Sequence, residues 1–331
     1  MKQRIPFDAK VRQLLDEQAA AAGVPPSAMS NEERVRMARS FMVRVLQSRT
    51  SITGLPNGVE SREIEINPAL SARLYLPPDG REPLSVLVYM HGGGWVVGSV
   101  AIFEPFCRLL SEAAGVTIVS VEYRLAPEYP YPAGVEDSIA AVRWVAEHAS
   151  EWGGDPTRIA LGGDSAGANL AGAAAIRLRA AGELDPLQAL MLLYPVTDHP
   201  SAGHPSYEEN ARGYGLDAHL MHWFWEQYTA NVSPKDPNVS LLQLLEVPDL
   251  PPTLVATAEY DILRDEGIAF AQKLKVAGVN VTHLHAPDMG HNFPVTPNLV
   301  GRFPQCVETL AEIADWLKRT LSAADKTSLH A

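Results

Sequence analysis

Residues 158–170 read RIALGGDSAGANL: an apolar run, two glycines, an aspartate, one serine, and then a row of small residues. The apolar run has the character of a strand buried on both faces, and the Ala-rich segment 166–181 that of a helix. Ser165 therefore falls on the bend between them, inside a G-x-S-x-G pentapeptide. Gly163 and Gly167 clear the space where strand and helix nearly collide, and the bend forces strained angles on the serine. A helix starting at the serine turns its N-terminal N–H groups, that of Ala166 among them, toward any negative charge developing nearby. Taken alone, the pentapeptide also fits a plain Gly/Ser turn. Its surroundings decide.

Working outward, the same strand character recurs at 84–90 (LSVLVYM), 116–123 (VTIVSVEY), 189–195 (ALMLLYP), 252–259 (PTLVATAE) and 281–285 (VTHLH). Helical patterns lie between or after these runs, at 135–149, 166–181 and 306–321. With the alternating VESREIEI and SARLYLP that follow Ile52, this predicts an α/β fold. Its sheet is doubly wound, mostly parallel and of about eight strands, with its core in 51–196 and 236–331. Residues 8–49 read as helices, with Val11, Leu14 and Leu15 as one apolar stripe and Ser30/Glu33 as a capping box. Residues 197–235, holding LMHWFWEQY, are too long for an ordinary connection and too aromatic for a linker. They predict an excursion above the sheet edge, and SAADKTSLHA (322–331) predicts a loose tail.

Composition narrows the function. A net charge of −12 repels nucleic acid and anionic membranes. The start, MKQRIPFDAKVRQLL, has no secretory apolar stretch, and no run reaches transmembrane length, so a cytoplasmic protein without a membrane anchor is expected. Cys107 and Cys306 read as free thiols in a reducing compartment. His219 and His222 stand at i, i+3 without a third ligand, so no metal is expected.

A serine hydroxyl is a weak nucleophile near neutral pH, so it needs a base, and the base needs an orienting acid. Asp261 follows the strand 252–259 and is the candidate acid; Asp265 and Glu266 lie a turn further on and face away. Of the three histidines in VTHLHAPDMGHNF, His283 and His285 alternate within a strand, while His291 follows it on a loop and is the candidate base. One helix and one strand separate Asp261 from His291, enough chain to return one to the other. Seventy-four residues before the serine, His91 closes a strand and leads into Gly92, Gly93 and Gly94. No Gly-Lys-Ser/Thr follows, and Val97 breaks the G-x-G-x-x-G spacing, so a phosphate loop is disfavoured. An HGGG loop preceding an elbow serine instead pairs an oxyanion hole with its nucleophile: Gly93, Gly94 and Ala166 as N–H donors, Gly92 shaping the loop.

Over nearly its whole length the chain resembles the hormone-sensitive-lipase-like carboxylesterases, the microbial family IV esterases of the α/β-hydrolase superfamily. The resemblance rests on HGGGWVVGS, VEYRLAPEYPYPAGVEDS, GGDSAGANLA, LLYPVTD, ENARGYGL, MHWFWEQY and LVATAEYDILRDEG. It implies a helical cap made of 1–50 and 197–235 over an acyl pocket, and hydrolysis of short- to medium-chain acyl esters through an acyl-enzyme. It also implies no cofactor, and pairing of two copies through the last strands. His91, Asp164 and Glu266 are motif residues expected to support the site; Trp95, Tyr194, Trp223 and Phe224 are the candidate pocket residues. Three features depart from the family pattern: Asn292 between the base and Phe293, Ala168 where Gly is common, and Ile102 and Phe103 near the expected cap interface. An amidase or arylformamidase with the same triad, or a non-catalytic small-ligand receptor on the same fold, are the competing readings.

Overall fold

Strand β3 (Leu84–Met90) shows why the central runs are apolar throughout. Val86, Val88 and Met90 enter one core while Leu87 and Tyr89 enter a second, because successive side chains point to opposite faces of a sheet. Both faces are covered, so most positions on either are apolar. In β6 (Leu187–Leu193), Leu190 and Leu192 face one core, and Ala189, Met191 and Leu193 the other.

The computed structural model describes residues 29–49, 56–78, 83–295 and 304–327. The remaining strands are β1 (Glu60–Asn67), β2 (Leu70–Leu76), β4 (Thr117–Glu122), β5 (Gly154–Asp164), β7 (Thr253–Tyr260) and β8 (Val281–Gly290). They form one 8-stranded sheet in the order β1-β2-β4-β3-β5-β6-β7-β8. Only the β1–β2 and β2–β4 pairs are antiparallel; every other pair is parallel. The helices are α1 (Asn31–Arg49), α2 (Val100–Ala114), α3 (Ala133–His148), α4 (Ala166–Ala180), α5 (Ser206–Glu209), α6 (Ala218–Tyr228), α7 (Arg264–Val276) and α8 (Pro304–Thr327). Phe106 of α2 and Leu317 of α8 pack in the core on one face; Val135 of α3, Leu170 of α4 and Phe270 of α7 pack on the other. This is the doubly wound α/β architecture expected from the alternation of strands and helices.

Two expectations meet different outcomes at the chain's ends. The first part of the expected N-terminal helices, with Val11, Leu14 and Leu15, lies outside the described residues, but the second helix begins at the predicted cap. Ser30 N–H donates to Glu33 Oε2 at 2.8 Å and Glu33 N–H to Ser30 Oγ at 3.3 Å, a reciprocal capping box. The expected loose tail is corrected over its first part, since α8 continues through Ser322 to Thr327, while 328–331 lie outside the described residues. Ile313, Leu317 and Leu321 anchor the preceding turns in the core, and once a helix is nucleated each added residue gains a hydrogen bond at little cost.

Parallel strands bring their C-terminal ends to one edge, where ligands bind in such folds. The ends of β3, β5, β7 and β8 carry His91, Ser165, Asp261 and His291 respectively. The excursion at 197–235 holds α5 and α6, and α1 meets α6 through side chains: Trp223 Nε1 donates to Asn31 Oδ1 at 3.0 Å, and Asn31 Nδ2 to Gln227 Oε1 at 2.6 Å. Among the described residues no helix is long and apolar enough to cross a membrane.

Candidate active site

The bend after β5 is as tight as its glycines predict. A Cβ on Gly163 would lie 2.4 Å from Met90 O and 2.5 Å from Gly167 C; one on Gly167 would lie 2.0 Å from Met90 O. Those contacts, with backbone that cannot yield, leave room only for glycine, and they press the start of α4 against the end of β3. Ser165 takes φ 53°, ψ −118°, and its hydroxyl makes no cap bond to its own helix. The backbone is fixed in this strained turn by Ser165 N–H to Leu193 O at 2.8 Å.

With the helix left uncapped by it, Ser165 Oγ meets His291 Nε2 at 3.1 Å, and His291 Nδ1 meets Asp261 Oδ2 at 2.8 Å. Asp261 Oδ1 accepts the N–H of Leu263 at 2.9 Å, which fixes the carboxylate plane. All three side chains are nearly buried; Ser165 and His291 are each 5 % exposed and Asp261 1 %. An imidazole so placed can take a proton from the hydroxyl while the carboxylate holds its tautomer. His291 lies on a turn that also carries Asn292 at φ 68°. Asparagine is among the side chains that best accept the left-handed region, so Asn292 can hold this turn without a glycine.

Beside the serine, the loop after β3 turns through Gly93 at φ 126°, Gly94 at φ 58° and Trp95 at φ 61°. Among the described residues, the N–H groups of Gly93, Gly94 and Ala166 meet no protein acceptor. Three donors left free on the loop and helix that flank Ser165 are of the kind that can hold an oxyanion.

Asp164 ties this loop to the bend. Its Oδ1 accepts the Tyr89 hydroxyl at 2.6 Å and the Gly92 N–H at 2.7 Å, and Tyr194 Oη lies 3.4 Å from Oδ2. A Cβ on Gly92 would come within 2.3 Å of Asp164 Oδ2, so the loop glycine is needed for this approach. Burial, opposed by those hydrogen bonds, pushes the Asp164 carboxyl from 3.8 up to about 6. A carboxyl raised in the folded state contributes stability that is complete below its unfolded value and lost as pH rises through the folded one. Asp164→Asn cannot ionise and keeps an acceptor for Gly92 and Tyr89. Its melting temperature relative to the parent is expected to climb between about pH 4 and pH 7, and a flat or falling difference would contradict the assignment.

His91 is fully buried, between the rings of Tyr123 (4.3 Å) and Phe103 (5.4 Å), and burial lowers its pKa to about 4. It is a neutral spacer beneath the loop. Phe103, expected near the cap interface, packs inward on His91 and Tyr89 instead. Glu266 is also fully buried, which raises its pKa well above the usual range; its Oε1 accepts the Thr197 N–H at 2.7 Å and the Asp198 N–H at 3.3 Å. It thus ties α7 to the segment after β6 and, like Asp265, which accepts the Ser206 N–H at 2.8 Å, it faces away from His291. His283 and His285 both meet Thr257 Oγ1 on the strand face, at 2.9 and 3.0 Å.

The four pocket candidates divide. Trp95 and Tyr194 are each 1 % exposed, too covered to line an open pocket. Trp95 stacks on Tyr228 at 4.2 Å and meets Trp225 edge-on at 5.1 Å, while Tyr194 backs His291 edge-on at 4.8 Å. Their size and position beside the motifs suggested a wall; the large aromatic surface is instead used to pack. Phe224 lies over Gly94, where an added Cβ would meet its ring at 2.2 Å, and Trp223 is held by Asn31. Cys107 and Cys306 are free and buried, and among the described residues no group of three or more His, Cys, Asp or Glu could hold a metal ion. Arg39, which no motif marked, reaches the same loop from α1 through Val96 O.

Comparison with known proteins agrees with this geometry. Residues 87–295 match the family model described as the alpha/beta hydrolase fold. The chain is 40% identical over 258 residues to carboxylesterase NlhH of Mycobacterium tuberculosis, covering 77% of this chain and 79% of that one. It is 39% identical over 227 residues to ethyl acetate hydrolase of Pseudomonas putida, covering 68% and 71%. Among solved structures, the hyperthermophilic esterase from Pyrobaculum calidifontis superposes with a TM-score of 0.85 at 35% identity, over 97% of this chain and 100% of that one. Fold, motifs and relatives converge: the chain belongs to the hormone-sensitive-lipase-like carboxylesterase family of the α/β hydrolases.

Proposed function

We propose that this carboxylesterase hydrolyses short- to medium-chain acyl esters through an acyl-enzyme on Ser165. The observation that carries the reading is the unbroken relay Ser165–His291–Asp261, at 3.1 and 2.8 Å, beside three unpaired N–H donors. Ser165 Oγ attacks the ester carbonyl as its proton passes to His291 Nε2, and Asp261 stabilises the imidazolium. The new oxyanion lies against the N–H groups of Gly93, Gly94 and Ala166. His291 returns the proton to the departing alcohol; water, deprotonated by the same imidazole, then releases the acid.

Residues 1–50 and 197–235 are assigned to a cap over the site, a reading supported by the Asn31 bonds to Trp223 and Gln227 and by Phe224 lying on Gly94. A ring in that place leaves limited depth for an acyl chain. With p-nitrophenyl acetate, butyrate, octanoate and laurate, kcat/KM is expected to peak at acetate to octanoate and fall at laurate; a steady rise to laurate, or faster cleavage of the matching anilides, would overturn the substrate class. We also place the protein in the cytoplasm, as its two free buried thiols suggest, and as a pair of copies joined at the edge strand β8. Sedimentation as single copies would contradict that pairing.

A further inference from the structure

The Gly93–Gly94 turn cannot hold itself. Trp95 stands at φ 61°, in a region that L side chains rarely adopt, so contacts from outside must hold the turn. Part of the hold is local, since Gly93 O accepts the N–H groups of Val96 and Val97 at 3.1 and 3.0 Å; from outside, the N–H of Ala126 donates to Trp95 O at 2.9 Å. Asp164 fixes Gly92, as described. His91 Nδ1 lies 2.8 Å from Gly92 O, and a further polar tie comes from α1.

Arg39 donates from Nε to Val96 O at 3.0 Å and from Nη2 to Ala126 O at 3.1 Å. Its Nη1 and Nη2 also fork onto the two carboxylate oxygens of Glu128, each at 2.8 Å. One planar guanidinium thus grips the peptide whose N–H holds Gly93, the segment that pairs with Trp95, and a carboxylate that orients the fork. An ammonium has all its donors on one atom and cannot span the three groups as the planar fork does. The ion pair itself is half-exposed and stabilises little, since Arg39 and Glu128 are 35% and 52% exposed. The two carbonyl bonds are what reach the loop.

We propose that Arg39 is a positioning residue for the reaction: through the carbonyls of Val96 and Ala126 it sets the Gly93–Gly94 turn, so that the N-terminal helix completes the oxyanion site. This rests on the reading of Gly93 and Gly94 as oxyanion donors. It assigns α1 a role in kcat, distinct from covering substrate.

The test compares the full-length wild type with Arg39→Ala and Arg39→Lys, using p-nitrophenyl butyrate and an alkylboronic acid. The boronic acid forms a tetrahedral adduct on the serine that places an oxygen in the hole. For Arg39→Ala, kcat is expected to fall about tenfold or more with KM changed less than about threefold, and boronate affinity to fall in parallel. Arg39→Lys is expected to lie between, and millimolar guanidinium to recover part of kcat in Arg39→Ala alone. A parental kcat, a loss confined to KM, or a lower kcat with undiminished boronate affinity would overturn the proposal. If Arg39→Ala does not fold, Arg39→Lys carries the same kcat, KM and boronate readouts. Turnover surviving in Ser165→Ala would instead defeat the reading of the site, whatever Arg39 does.

Discussion

Replacing Ser165 by alanine is expected to lower kcat for p-nitrophenyl butyrate on the order of 10^5-fold. The hydroxyl is the atom that forms the acyl bond, and no neighbour can take its place. Asp164 is adjacent in sequence but is committed to Gly92 and Tyr89, and the nearest cysteines, Cys107 and Cys306, are buried in the core across the sheet. The donors of Gly93, Gly94 and Ala166 persist, so a residual rate above that in water should remain. The fold should be little changed, because the Ser165 side chain caps no helix and bonds only to His291. A melting temperature within about 2 °C of the parent is expected, since a shift of that size in a chain this long is about 1.5 kcal/mol. Loss of rate with loss of fold would leave the serine structural; turnover within tenfold of the parent would remove it from the chemistry.

The second large effect is Asp261→Asn, expected to cost about 10^4-fold in kcat. The substitution preserves shape and volume, so the loss is electronic. Leu263 N–H donates to Oδ1 at 2.9 Å, which requires the amide oxygen to stay on that side. The Asn nitrogen is then turned toward His291 Nδ1, where it donates. That forces the imidazole to carry its proton on Nε2, facing Ser165, and a protonated Nε2 cannot accept the serine's proton. Reversing the amide would restore the tautomer but set two N–H groups against each other at Leu263. Stopped-flow or steady-state kinetics with soluble p-nitrophenyl esters measure this directly; a decrease of less than tenfold would mean that Asp261 does not govern the tautomer.

Much of this was legible in the sequence wherever the determinants are local. The apolar runs give the parallel strands because each residue faces a core, and Gly163 and Gly167 announce a bend that admits no Cβ. Asp261 and His291 follow from the order of strands and from which histidines alternate within β8. What escaped depends on partners distant in the chain. Trp95 and Tyr194 look like pocket aromatics until Tyr228 and His291 are seen against them. Asp164 was expected to support its own bend, and its reach to Gly92 follows only once β3 and β5 lie side by side, with Met90 opposite Gly163. Arg39 resembles any polar residue on a helix; only the docking of α1 brings it to Val96 O.

The central claim is that one serine on the β5–α4 bend carries the acyl group. Reaction with diethyl p-nitrophenyl phosphate, followed by intact-mass measurement and peptide mapping, tests it most directly. A single diethylphosphoryl group on Ser165, appearing in step with the loss of esterase activity, is the predicted result. Activity lost with the group on another residue, or Ser165 fully labelled with turnover intact, would contradict it.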